Sequence, residues 1–284
     1  MFQDFNKVSI FRNRRVVVLD TSPVRNLAYS NKIPEWVKIF SKMKKAGYLF
    51  TLSECTFGEL LKQKNIGAMS DKEFRNIIGR LKMFLSMTLP VMPGEVDVLR
   101  LIRSEPHYNF HDNDIKAISK KAFRMLVDQK INYTEILIEE IERERSEWRN
   151  LISNLDQIHS QDSEEFNEIS DYRLDMYIKG HDRDRVMDPL LSRRLDLRTR
   201  YIWRQYVRSK KKNEPYNVNA PKKANDGIDL RIYTYLALPA LIVAEDKGFF
   251  GSIENIPSFQ KSWIMKPDDL AKSWANRTLK FPEW

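Results

Sequence analysis

Val16-Val17-Val18-Leu19-Asp20-Thr21-Ser22 is the stretch on which the fold turns. Three valines and a leucine run together without a polar break, the pattern of a strand buried on both faces. Such strands belong to parallel sheets covered by helices, and the acid after the run marks the strand's carboxyl end. Outward from there the texture alternates. Pro34 to Lys45 reads as a helix stopped by Gly47, Tyr48-Leu49-Phe50-Thr51-Leu52 as a second strand, and Thr56 to Lys64 as a second helix. Leu89 to Met92, with Pro90 inside it and Pro93 after it, is a weaker strand candidate. Near the other end, Ala240-Leu241-Ile242-Val243-Ala244 is another buried-strand run and Trp263-Ile264-Met265 a short one, with Pro257 and Pro267 between and after them. Alternating strands and helices imply parallel pairing with right-handed crossovers. The expected class is α/β, a short parallel sheet sandwiched by helices.

Between the two halves the pattern becomes helical and heavily charged, from about Asp112 to Lys212. Leu137, Ile141, Trp148, Leu151, Leu155 and Ile158 form one apolar seam on a long helix, suited to an intramolecular helix pair or to a coiled coil between two copies. The layout expected is therefore an α/β domain made from residues 1–105 and 215–284, interrupted by an all-α insertion over 106–214.

With 48 Lys+Arg against 39 Asp+Glu the chain carries a net charge of +9, and its pI is near 9.4. That balance favours a polyanionic partner. Cys55 is the single cysteine, which rules out an intramolecular disulfide and a cysteine metal cluster and fits a reducing, cytoplasmic setting. Met1 to Arg15 lacks the continuous apolar core of a signal peptide, and the longest apolar stretch, Tyr235 to Ala244, is too short to span a bilayer. No membrane partner is expected through a span; association of a basic helix with an anionic surface is the remaining route.

The acids carry the chemistry. Asp20 follows the first strand and Asp246 follows Ala240 to Ala244, so both sit at the carboxyl edge where open α/β sheets place their sites. Glu59 lies one turn into the helix after the second strand and is preferred to Glu54, five residues earlier. Asp226 and Asp229, in Asn225-Asp226-Gly227-Ile228-Asp229, are spaced to share one helical face or to act as cap and first-turn acid. Carboxylates converging in this way repel unless a cation sits among them, and Mg²⁺ or Mn²⁺ suits an all-oxygen set.

The same residues resemble a known family. Val16 to Ser22, then Glu59-Leu60, then Asn225-Asp226 to Asp229, then Ile242-Val243-Ala244-Glu245-Asp246 look like the PIN-domain nucleases, over roughly residues 14–100 and 215–270. The resemblance implies helices around a short parallel sheet and divalent-metal-dependent cleavage of single-stranded RNA. Asp20, Glu59, Asp229 and Asp246 are the positions it carries over, with Asp226 as an extra ligand. The chain departs from the pattern at Ala244, where many members have Thr or Ser, and in the length of its insertion.

Two other features bear on partners. Arg193 to Lys212 holds nine Lys+Arg and one acid, Asp196. At 100° per residue Arg193, Arg200, Arg204, Arg208 and Lys211 fall on one side, with Leu191, Leu195, Ile202 and Tyr206 opposite and Tyr201 and Trp203 flanking the stripe. The expected role is contact with a nucleic-acid backbone, the two aromatics stacking on bases; an ordinary amphipathic surface helix is the plainer alternative. His107-Tyr-Asn-Phe-His111-Asp112-Asn-Asp114 could bind a transition metal, but reads better as a loop entering a helix at Ile115 with Asp114 as its cap, and His181-Asp182-Arg183-Asp184 reads as a solvated loop.

The sequence thus points to a metal-dependent endoribonuclease. A structure-specific DNA nuclease and a catalytically inactive nucleic-acid-binding or interaction module stand beside it, and a protein inhibitor or a second copy of the chain are further partners it allows.

Overall fold

The computed structural model describes residues 11, 14–30, 32–103, 111–128, 134–159, 193–210, 216–220, 223 and 226–282. The valine run forms the central strand, β1 (Arg15–Leu19), between β2 (Tyr48–Leu52) and β3 (Ala240–Val243), with β4 (Ile264–Met265) beyond β3. All pairings are parallel, so the fold is α/β as expected. Leu19 stands opposite both Leu52 and Val243, so the three longer strands end in step. Asp20 N–H still reaches the Val243 carbonyl at 2.9 Å and Ser53 N–H the Leu19 carbonyl at 3.1 Å. The chain leaves β1 towards β2 on one side and later adds β3 on the other, which makes the β1–β3 junction a topological switch point.

Each strand buries both faces, and alternate residues divide the core in two. Val17, Leu19, Phe50, Leu52, Leu241 and Val243 face one layer; Val16, Val18, Leu49, Ala240 and Ile242 face the other. The first layer contains α1 (Thr21–Asn26), α2 (Glu35–Lys45), α3 (Glu54–Asn65) and α4 (Asp71–Phe84). Phe40 stacks on Phe50 at 4.7 Å between ring centroids, and Phe84 meets both rings edge-on. The second layer is built largely by α5 (Glu95–Arg103), α7 (Thr134–His159) and α8 (Asp196–Lys210), against α9 (Asp226–Tyr233) and α10 (Lys247–Ile253). α6 (Asp112–Asp128) spans both layers, sending Ile115 to one and Phe123 and Leu126 to the other. The last helix, α11 (Pro267–Ala275), returns to the first layer through Leu270 and Ala271.

The helical segment therefore completes one face of the sheet's own core. Of its seam, Trp148 and Leu155 are buried there and Leu151 packs against them; the side chains of Leu137, Ile141 and Ile158 lie outside the described residues.

Local chemistry accounts for several differences from the sequence reading. The second helix starts at Glu54 rather than Thr56, because Ser53 Oγ accepts from Thr56 N–H as its N-cap. Leu89 to Met92 makes only one bridge, Leu52 to Val91, since Pro90 lacks an N–H and Pro93 stops the ladder. α6 begins at Asp112, and Asp114 reaches back to accept from His111 N–H at 3.1 Å, acting from the first turn instead of as the cap. The helix that carries Asp226 and Asp229 starts at Asp226, so both acids lie in its first turn, and it tightens into a 3₁₀ turn over Thr234–Ala237. His107 and the His181 to Asp184 run lie outside the described residues. Among the described residues no helix is long and apolar enough to cross a membrane.

Candidate functional site

Asp20 leaves β1 as the N-cap of α1, with its Oδ2 accepting from Ser22 Oγ at 2.7 Å and Ser22 N–H at 3.2 Å. The same Ser22 Oγ accepts the N–H groups of Glu245 at 2.9 Å and Asp246 at 3.2 Å. One hydroxyl thus ties the exit of β1 to the exit of β3. Ala244 is fully buried, so the loop takes its hydroxyl from Ser22 across the switch point. Asp246 is exposed and N-caps α10, its Oδ1 accepting from Phe249 N–H at 2.9 Å.

Glu59 is brought in by a chain of hydroxyls. Ser53 Oγ donates to Thr56 Oγ1 at 2.8 Å, and Thr56 Oγ1 donates to the Leu19 carbonyl at 2.9 Å, which locks the start of α3 to the end of β1. Thr21 Oγ1 lies 3.3 Å from Thr56 Oγ1 and gives a hydrogen bond to Glu59. Asp229 stands on the first turn of α9, three residues after Asp226. Among the described residues it accepts no side-chain hydrogen bond and pairs with no base.

The carboxyls feel one another. Burial pushes Asp229 well above the usual carboxylate range, and the charges of Asp20, Asp226, Glu59 and Asp246 push it further. Asp20 is raised by burial, against its bonds to Ser22 and with help from Asp246. Glu59 is raised by burial and by Asp20, against Thr21, Arg25 and Lys62. Asp20, Glu59, Asp229 and Asp246 are therefore electrostatic neighbours at the carboxyl edge of the sheet. They do not form a closed coordination shell: among the described residues no three His, Cys, Asp or Glu stand together as an ion would need. The reason is visible in the bonds above, since Asp20, Glu59 and Asp246 each turn towards a donor of the chain. Donor chemistry nevertheless fits a hard cation, because the set is all oxygen, carries like charge, and includes one half-buried acid with no base paired to it among the described residues.

Asp226 is held differently. Tyr216 hydroxyl accepts from Trp148 Nε1 at 2.9 Å and spends its own proton on Asp226, while Lys223 Nζ lies 3.9 Å from Asp226. Gly227 is required beside it, because a Cβ there would fall 2.7 Å from Trp148 Cβ. Asp226 is thus tied to α7 and to Tyr216, which makes it a weaker candidate for an extra ligand than the spacing suggests.

Glu54 belongs to a second network. Arg231, two residues beyond Asp229, pairs with Glu54 at 3.2 Å, Glu95 at 3.6 Å and Glu144. Arg198 joins it through Glu95 at 2.6 Å. Cys55 lies alongside, its thiol pushed up to about 12 mainly by burial. It is expected to react with a disulfide reagent at pH 8 on the order of 10²-fold more slowly than a free thiol, and at the normal rate once unfolded. Fast labelling of the folded protein would show that this pocket opens.

The basic helix does not present the face expected of it. Tyr201 is fully buried and Trp203 is 5% exposed, so neither is available to stack on bases. Arg200 pairs with Asp196 at 2.7 Å, Arg204 donates to the Ser252 carbonyl at 2.6 Å, and Arg208 bonds Gln205 and covers the Tyr216 ring. Arg193 lies over the Phe259 ring, and Lys211 is outside the described residues. Physically, α8 is packed on α7, α9 and the 3₁₀ turn Phe259–Trp263, so its cations serve the fold. Ser22, Thr21, Tyr216 and Arg231 escaped the sequence reading; only the hydroxyls of Asp20-Thr21-Ser22 left a local signal.

In comparisons with known proteins no family model matches the chain, and no curated protein or solved structure matches it.

Proposed function

We propose that this chain is a divalent-metal-dependent nuclease of the PIN-like kind, acting on single-stranded RNA. The observation that carries the reading is Asp229, a half-buried carboxyl with no balancing donor among the described residues, set among the charges of Asp20, Glu59 and Asp246 at the switch point of a parallel sheet. A partly buried cluster of like charge costs stability, and such clusters concentrate at functional sites.

Asp20, Glu59, Asp229 and Asp246 would hold one or two Mg²⁺ or Mn²⁺ ions, which when bound supply an activated water and offset charge building on the phosphorus. The chain's own groups do the rest. Ser22 fixes the Asp20 carboxylate and the Asp246 loop relative to each other, and Thr21 orients Glu59. Asp229 holds its proton more tightly than an ordinary acid and would have to give it up to ligate a cation, so occupancy would fall as pH falls. RNA in preference to DNA comes from the family resemblance alone, since no residue here distinguishes a 2′-hydroxyl.

The test is cleavage of an end-labelled single-stranded RNA by the full chain with Mn²⁺ or Mg²⁺, with EDTA, and as Asp20→Asn/Asp246→Asn. Metal-dependent products lost in EDTA and in the double variant are expected. Equal cutting of flapped or single-stranded DNA would move the substrate to DNA. A wild type that binds RNA, cuts nothing, and binds as well with both acids replaced would instead identify an inactive binding module.

A further inference from the structure

With the arginines of α8 engaged in the fold, a polyanion would have to be met elsewhere, and the edge beside the acids offers a place. α1 is short and lies across the carboxyl edge of the sheet. Its first residue touches α3 through Thr21 and Thr56, and its last, Asn26, reaches Glu245 beyond β3 with Nδ2 at 2.8 Å from the carboxylate. Arg25 is one turn after Thr21, and Lys62 is one turn after Glu59 on the same face of α3. Both cations act on the charge of Glu59, which brings them to its rim. Arg25 is exposed and Lys62 half-buried, and among the described residues neither has an ion-pair partner.

Just past α1 stands Tyr29, 61% exposed. Its backbone is not loose. Arg80 donates to the carbonyls of Leu27 and Ser30, and Asn76 to that of Ala28 at 3.5 Å. An aromatic ring displayed to solvent on an anchored turn, four residues after the exposed Arg25, and two cations at the rim of Glu59 are the parts of a single-strand platform: charge for phosphates and a flat face for a base.

We infer that the α1–α3 rim is the surface that receives a single-stranded polynucleotide, with Arg25 and Lys62 on its phosphates and Tyr29 stacked on a base. This rests on the nuclease reading only in placing a polyanion at that edge. An exposed ring stacks on any base, so the platform takes RNA and DNA strands alike, and duplex, whose bases are already stacked, gains nothing from Tyr29.

The experiment is anisotropy binding of labelled 12-nucleotide uridine RNA, its thymidine DNA counterpart and a 12-base-pair duplex to the full chain, in EDTA, over a salt series. Each phosphate contact on a single strand contributes about 0.7 to the slope of log K against log salt, so Arg25→Ala/Lys62→Ala is expected to flatten it by about 1.4. Tyr29→Ala is expected to weaken both single strands roughly 5- to 100-fold and spare the duplex, while Tyr29→Phe keeps the binding. Lys272→Ala/Lys280→Ala is the charge-matched control. Lys280 adjoins Phe281, whose ring meets Tyr48 at the amino end of β2, far from the rim. An Arg25/Lys62 variant that keeps the control's slope, a Tyr29→Ala that binds like wild type, tighter binding of duplex, or a wild type that binds no polynucleotide overturns the inference. Cleavage separates the two readings. Metal-dependent cutting that persists with unaltered binding in the rim variants removes this surface and leaves the nuclease, whereas rim-dependent binding without cutting keeps the surface and removes the nuclease.

Discussion

Asp229→Asn is expected to lower metal-dependent cleavage on the order of 10³-fold, about 4 kcal/mol of barrier, while raising the melting temperature of the metal-free protein. The two effects share one cause. Asp229 is half-buried and feels the charges of Asp20, Asp226, Glu59 and Asp246, so its charged form is unfavourable without a cation. The amide keeps the shape and removes the charge, which is expected to stabilise the metal-free fold by about 1–2 kcal/mol, the size usual for relieving a functional site. The pH dependence has a definite sign. Its folded pKa lies above the ordinary value of 3.8, so the native state binds more protons than the unfolded chain in the interval between them. Its contribution to stability is full below 3.8 and is lost as pH rises through the raised value. Asp20 and Glu59 are shifted the same way and add to the trend. In EDTA the wild type is therefore expected to gain less stability than Asp229→Asn, or to lose more, between pH 5 and pH 8, and Mn²⁺ at about 100 times its Kd is expected to return about 2.7 kcal/mol to the wild type at pH 8. Thermal melts at the two pH values, with and without Mn²⁺, check this. A variant that is less stable than wild type at pH 8 without metal would mean that Asp229 is balanced by a partner of its own.

What the sequence discloses and what it hides follow from the range of the interactions. A strand buried on both faces must be apolar at every position, so Val16 to Leu19 and Ala240 to Val243 are legible as they stand. An acid directly after such a strand lies at the carboxyl edge, which places Asp20; Asp246, three residues beyond Val243, follows from the same reading only because the loop between is short. The state of Asp226 is not legible, because its donor Tyr216 is in turn held by Trp148, 68 residues away in the chain. Helical periodicity misleads at α8 for a similar reason. Projection at 100° per residue assumes one buried side, but Leu197, Tyr201, Gln205 and Tyr206 are all buried along with Ile202, Trp203 and Val207, so several elements enclose the helix. Its arginines are spaced like a solvent-facing stripe yet find Asp196, Ser252 and Tyr216. Another feature was local and readable: Ser70-Asp71-Lys72-Glu73 is a capping box that opens α4, with both reciprocal bonds present.

The helical segment's hold on the acids gives the second large effect. Arg231→Met is expected to destabilise the protein by about 3–4 kcal/mol, because breaking a buried ion pair from one side leaves the opposite charges uncompensated. Three carboxylates converge on this guanidinium, from Glu54 on α3, Glu95 on α5 and Glu144 on α7, and Glu95 and Glu144 are only 15% and 13% exposed. Arg198 would still neutralise part of Glu95, but Glu144 and Glu54 would both lose this guanidinium. Glu144→Gln removes one acid and leaves Arg231 two others, so about 1.5 kcal/mol is expected, the low end for a single hydrogen bond to a charged group. Arg231→Lys should fall between them, since an ammonium keeps the charge but cannot fork towards three acids on three helices. Denaturant midpoints for the three variants give the order directly, and equal midpoints for Arg231→Met and wild type would show the network to be screened by water. Asp229 sits two residues before Arg231 on α9, so the same variants should weaken Mn²⁺ binding in that order while the side chains of the acid cluster remain untouched. If stability falls as expected but Mn²⁺ binds with its original affinity, α9 is held by Trp148 against Gly227 and by Tyr216 on Asp226, and the ion network serves the fold alone.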